Sequence, residues 1–171
     1  MENKKEIFKE LITYTILIVA IILIKTFLVA PIRVNGTSMI DTLENGDIMI
    51  LNKIGYRFSD IKRFDIVVVD DKEELIIKRI IGLPGERIEY KDNKLYVDGK
   101  YIKEDFPRKE MDDYSIEELN ETEVPEDTYF VLGDNRPNSK DSRIIGFVPR
   151  KQILGKTSLT IFPFSRFGNK K

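Results

Sequence analysis

The chain contains no cysteine, no histidine and no tryptophan. Without cysteine there are no disulfides, no thiolate nucleophile and no Cys-based zinc or iron–sulfur site. Without histidine there is no imidazole to ligate a metal, shuttle a proton or serve as the base of a triad. Any nucleophile here needs a different base. Charge of one sign is also missing: 28 Lys and Arg stand against 29 Asp and Glu, a net of −1, which argues against a general nucleic-acid binder. There is no internal repeat and no low-complexity tract. Nor is there a phosphate-binding loop, since Gly82-Leu83-Pro84-Gly85 has neither the length nor the lysine of one. The 171 residues amount to one domain with an appendage, long enough to bury a core without disulfides or metal.

The appendage is the run Leu11 to Ile32, 22 residues with a single charge, Lys25. As a helix it would measure about 33 Å, enough to cross a bilayer. Its charge-free part, Leu11 to Ile24, is short enough by itself to be a signal-peptide core or a buried helix. Lys25 lies roughly 10 Å from the Ile32 end, within reach of an interface for a long side chain, so a span tolerates it. A cleavage site would have to use Leu28-Val29-Ala30 followed by Pro31, a poor small-x-small sequence, which favours an uncleaved anchor. Lys4, Lys5 and Lys9 precede the run and only Arg33 closely follows it, so residues 1–10 are expected in the cytoplasm and residues 33–171 outside the cell membrane.

After Pro31 the pattern changes to short β-rich stretches. Strands are expected at 47–51, 65–69, 75–81, 87–90, 94–97, 128–132, 146–148 and 156–162. Asn45-Gly46, Pro84-Gly85, Asp92-Asn93 and Asp98-Gly99 supply turns, the third of them closing a hairpin. Eight strands without a long amphipathic helix predict a mainly β domain of barrel type. Residues 86–127 form a hairpin and an acidic insertion. From Glu104 to Asp127 eleven acidic residues face two basic ones, read as a solvated loop, with a short helix at 115–120. From Asp134 onward nine basic residues face two acidic ones. This end either is an ordinary basic face or meets anionic headgroups, and Phe162, Phe164 and Phe167 within it either dip into a bilayer or cap the core.

A base is available in Leu75-Ile76-Ile77-Lys78-Arg79-Ile80-Ile81. On a strand Lys78 and Arg79 point to opposite faces, each between isoleucines. Lys78 reads either as a gatekeeper of an edge strand or as an amine desolvated until it can accept a proton. A lysine base pairs naturally with a serine hydroxyl. Ser38 is placed for that role after an extended apolar lead, and Gly36 lets a substrate approach the backbone.

The ordered blocks Gly36-Thr37-Ser38-Met39-Ile40-Asp41-Thr42-Leu43, Gly46 to Lys53, Lys78 to Glu86, Gly133 to Arg143 and Gly146 to Pro149, behind an apolar run, resemble the type I signal peptidases of the short Gram-positive kind. The resemblance implies a membrane-bound serine endopeptidase that removes signal peptides from secretory preproteins, monomeric and free of metal or organic cofactors. It implies Ser38 as nucleophile and Lys78 as general base, with Ser139 bonded to the Lys78 amine. An Asp141–Arg143 ion pair lies behind them, Asp134 and Arg79 support the site, and the Ser38 amide serves the oxyanion. Val34, Gly36, Met39 and Ile77 are the expected substrate contacts. Two departures stand out. Gly36 replaces the hydroxyl residue that some relatives use as a second oxyanion donor, leaving Thr37 as a substitute, and Asp41 stands where the family pattern has proline. Asp41 is expected to face water as a turn-former. The main rival is a catalytically impaired relative acting as an assembly factor for surface fibres. A self-cleaving Ser/Lys regulator and a plain anchored binding module are weaker rivals.

Overall fold

The computed structural model describes residues 2–23 and 28–170. A helix, Glu2–Leu23, precedes twelve strands: β1 Val29–Arg33, β2 Ile48–Asn52, β3 Ile66–Asp70, β4 Leu75–Gly82, β5 Ile88–Lys91, β6 Lys94–Val97, β7 Lys100–Ile102, β8 Tyr114–Ser115, β9 Thr128–Leu132, β10 Val148–Pro149, β11 Ile153–Phe162 and β12 Gly168–Asn169. They form two antiparallel sheets. The larger runs β1-β2-β11-β3-β4-β9-β10, with β12 added to β11, and the smaller runs β7-β6-β5-β8. The fold is mainly β, as expected.

The large sheet curls because its longest strand is irregular. β11 shifts register against both β2 and β3, and such bulges bend a strand and increase its twist. Gly155 sits at one shift, where a side chain would run into the Asn52 carbonyl. Three cores fill the curl. One, from Val34, Met39, Leu43, Met49, Ile66 and Ile77, lies beneath the loop that carries Ser38. A second joins β3, β4 and β9 through Val67, Ile76, Ile80 and Val131, and the third seats the small sheet on β4 and β9 through Ile81, Ile88 and Phe130.

The strand β4 is an interior strand, paired with β3 along 75–79 and with β9 from Arg79 to Gly82. The gatekeeper reading of Lys78 fails because its side chain is buried, at 3% exposure, and reaches Ser38 instead of standing in solvent along the open side of 75–78. The hairpin at Asp92-Asn93 forms with both residues at positive φ, and Asp98-Gly99 makes a second one to β7. The helix at 115–120 is a single 3-10 turn, Ile116–Leu119, held by a capping box between Ser115 and Glu118.

The apolar run is divided differently from the expected 11–32 span. The helix begins at Glu2, while Val29 to Ile32 lie in β1, paired with β2. β-branched residues and a proline suit an outermost strand better than a helix end. Residues 24–27, with Lys25, lie outside the described residues. Among the described residues no helix is long and apolar enough to cross a membrane. Glu6, Lys9 and Glu10 occupy its early turns, leaving 11–23 as its charge-free part, about 20 Å long. Those apolar side chains are exposed all round the helix: the successive Ile16, Leu17, Ile18 and Val19, which point about 100° apart, are all uncovered.

Charge is less free than its distribution along the sequence suggests. Glu104, in the acidic stretch, is buried against Arg136 and Arg108. In the basic end Arg136, Lys140, Arg143, Lys156 and Arg166 all hold carboxylates. Phe164 and Phe167 are exposed and cap no core.

Candidate active site

The loop between β1 and β2 carries Ser38. Its base is cross-tied: the Val34 amide donates to the Asp47 carbonyl, the Gly46 amide to the Val34 carbonyl, and the Gly36 amide to Asn45 Oδ1. Gly36 has φ +90°, a conformation that a side chain would strain. Beyond it Met39 and Leu43 drop into the core, and tight turns from Thr37 and Met39 lift Ser38 between them. A second loop, from β9 through Gly133 to Ser142, clamps the first. Asn135 donates its backbone amide to the Ser38 carbonyl at 2.9 Å and its side-chain Nδ2 to the Thr37 carbonyl at 3.0 Å. Gly133 allows the approach, since a Cβ there would collide with the Ser38 carbonyl and with Ser139 Oγ.

Lys78 Nζ lies 2.7 Å from Ser38 Oγ. The lysine is 3% exposed. Burial disfavours its charged form and lowers its pKa from 10.5 to about 8, while Asp141, Glu74, Asp134 and Asp71, none of them bonded to the amine, pull it partly back up. As an ammonium, Lys78 donates to the serine oxygen. As a neutral amine it accepts the hydroxyl proton, and near pH 8 both forms are present. A cleft of about 290 Å³ opens over the pair, walled by Gly36, Ser38, Leu75, Ile77, Asn138 and Lys140.

Arg79, on the opposite face, is saturated. It forms a bidentate pair with Asp134 at 2.8 and 2.6 Å, donates to the Phe64 carbonyl, and stacks on Phe106. Thr42 Oγ1 lies 2.6 Å from Asp134 Oδ2 and ties the Ser38 loop to that pair. Asp141 and Arg143 form an ion pair that is bidentate, both bonds 2.8 Å, and Asp141 also accepts from the Gly133 amide.

Not every expected contact is present. Ser139 does not bond the Lys78 amine: its buried hydroxyl is turned against Gly133 and has no hydrogen-bond partner. Val34 and Met39 are core residues beneath the loop and do not line the cleft, whereas Gly36 and Ile77 do. Asp41 points away from Lys78, paired with Lys109 at 2.9 Å in a half-exposed bridge. Sequence reasoning missed Asn135, Glu74, Lys109 and Lys140. Asn135 stood in view inside the Gly133 to Arg143 block, but nothing local says that it clamps a loop 98 residues away.

Residues 6–162 match the family described as Signal peptidase, peptidase S26. Signal peptidase I of Bacillus caldolyticus is 44% identical over 155 residues, covering 84% of this chain and 85% of that protein. Signal peptidase IB of Staphylococcus aureus strain COL is 35% identical over 179 residues, covering 96% and 94%. A crystal structure of a signal peptidase I from Enterococcus faecalis superposes with a TM-score of 0.54 at 37% identity, covering 57% of this chain and 97% of that one.

Proposed function

The chain belongs to the signal peptidase family, peptidase S26, and on that premise we propose that Ser38 and Lys78 carry its chemistry. The protein is a serine endopeptidase that removes N-terminal signal peptides from secreted preproteins. The observation that carries the residue assignment is the 2.7 Å contact between a serine hydroxyl and an almost fully buried amine. Neutral Lys78 takes the Ser38 proton as Oγ attacks the scissile carbonyl. The Ser38 amide, which none of the turn's hydrogen bonds engages, faces the developing oxyanion, with the exposed Thr37 hydroxyl as its second donor. The resulting ammonium protonates the leaving amine, and the neutral amine then activates the water that releases the acyl group. Asn135, Asp134–Arg79 and Asp141–Arg143 hold the two loops in register, and Ser139 packs behind them.

The substrate lies extended along β4. Residues 75–78 are paired on the β3 side only, so their other edge is open to an added strand beside Ile77 and Gly36. The N-terminal helix, charge-free from residue 11 to 23 and uncovered there by the β domain, anchors a monomer in the cell membrane with the catalytic domain outside, and Phe162, Phe164 and Phe167 rest on the same bilayer.

The test is cleavage of a secretory precursor by the detergent-solubilised chain, read by mass spectrometry. Cutting after a small-x-small site that disappears in Ser38→Ala is expected. A folded wild-type chain that cuts no precursor would move the assignment to the assembly-factor reading.

A further inference from the structure

Residues 104–111 leave β7 and reach four parts of the catalytic apparatus within one short stretch. Glu104 accepts from Arg136 in the clamp loop at 2.7 Å, with both side chains buried. Phe106 lies beneath the Arg79 guanidinium, 3.8 Å from ring centre to Cζ. The Pro107 carbonyl is 3.3 Å from Thr42 Oγ1, and the Lys109 amide donates to the Asp134 carbonyl at 2.9 Å. The Lys109 ammonium then crosses to Asp41, three residues after Ser38.

Asp41 has φ +78°, in the left-handed region that β-carbon residues seldom occupy and that Asp and Asn tolerate best. Its carboxylate is paired with the Lys109 ammonium at 2.9 Å. Asp41 pairs with Lys109 and does not bond Lys78, so what it offers the site is the shape of the turn it belongs to.

We infer that residues 104–111 are a strap that positions the nucleophile turn, and that the Asp41–Lys109 pair is its fastening. The inference rests on the reading of Ser38 as nucleophile. Asp41 and Lys109 are positioning residues, and they leave a distinctive signature. A half-exposed ion pair adds little to stability, whereas a reacting atom displaced by about 1 Å can cost about 100-fold in rate. Losing the fastening should lower turnover while the fold remains intact.

The experiment uses the full chain in detergent micelles with a secretory precursor as substrate. Asp41→Gly, which tolerates the backbone angle, Lys109→Met and the double variant are compared for kcat, KM, pH profile and thermal midpoint. Each single change is expected to lower kcat about three- to tenfold, with KM and the acidic limb of the profile unmoved and the thermal midpoint almost unchanged. The double variant is expected to be no worse than either single. Asp41→Pro, whose ring locks φ near −65°, is expected to lose about 100-fold. Losses that multiply in the double variant, or wild-type cutting by Asp41→Pro, would overturn the strap. Ser38→Ala separates the two claims: if it is inactive while the single losses multiply, the strap alone falls. If Ser38→Ala still cuts, the nucleophile assignment falls and takes the strap with it.

Discussion

Lys78 and Arg79 are neighbours on one strand and both are buried, at 3% and 1% exposure, yet the fold treats them in opposite ways. Arg79 receives a bidentate carboxylate, a backbone carbonyl and an aromatic face. Lys78 receives one serine hydroxyl, while Asp141 and Asp134 act on it only from a distance and are bonded to Arg143 and Arg79. Burial is common to both, so burial alone does not make a base. A buried cation becomes a base when its neighbours' carboxylates are already engaged elsewhere. On the proposed assignment of Lys78 as base, Asp134 and Asp141 serve the site through the partners that occupy them.

Giving the cleft the chemistry of its neighbour breaks the comparison most severely. Lys78→Arg keeps a cation beside Ser38 but installs a group that does not deprotonate in proteins, so kcat/KM for precursor cleavage is expected to fall by about 10²–10⁴. Loss of less than tenfold would show that Lys78 acts as a charge and not as a base. The mirror experiment removes the saturated partner: Arg79→Met leaves Asp134 buried and unpaired, at a cost of about 3–5 kcal/mol. Chemical denaturation at neutral pH checks it.

A third variant sharpens the contrast through pH. Lys78 titrates near 8 in the folded chain, below the 10.5 of an ordinary lysine, so holding its charge in the fold opposes folding in full below pH 8. That opposition fades between about 8 and 10.5, where the folded chain has lost the proton and the unfolded chain still holds it. Lys78→Met is accordingly expected to be more stable than the wild type at pH 7, by up to about 3 kcal/mol. The advantage should vanish towards pH 10.5, as denaturation curves at both pH values would read. Activity runs the same way, with kcat/KM rising through pH 8 and levelling above it. The smallest effect belongs to Glu74, exposed at the rim and one of the charges that raise Lys78. Glu74→Gln is expected to move the acidic limb down by a few tenths of a pH unit, and added salt to erase the difference.

Much of this arrangement was legible in the residues. Seven of the eight expected strands are present, two of them, 94–97 and 128–132, with unchanged bounds, because alternation and turn chemistry are local signals, while the eighth, 146–148, meets β10 only at Val148. The opposed Lys78 and Arg79 followed from a period of two. β1 was hidden in the apolar run, since a short, continuous apolar segment fits a helix and a strand equally well until its partner is known. β8, β10 and β12 are two-residue pairings that no periodicity can register. In the site, residue types made Ser38 and Lys78 candidates, and the resemblance of the ordered blocks to the signal peptidases assigned their roles. The clamp by Asn135, the strap to Asp41 and the turned-away hydroxyl of Ser139 depend on packing between distant segments, and so does the burial of Val34 and Met39 beneath the cleft.

The clamp has a consequence in time. Ser38 meets Lys78 across 40 residues of sequence, and Asn135 reaches Thr37 across 98. Contacts of such separation close late, after local hairpins have formed. A chain emerging from the ribosome therefore possesses its serine long before it possesses the loop that holds it in place. On the proposed Ser38–Lys78 assignment, proteolytic competence is expected to arrive last, as a property of the finished molecule, so that a partly folded copy has nothing with which to cut its own exposed segments.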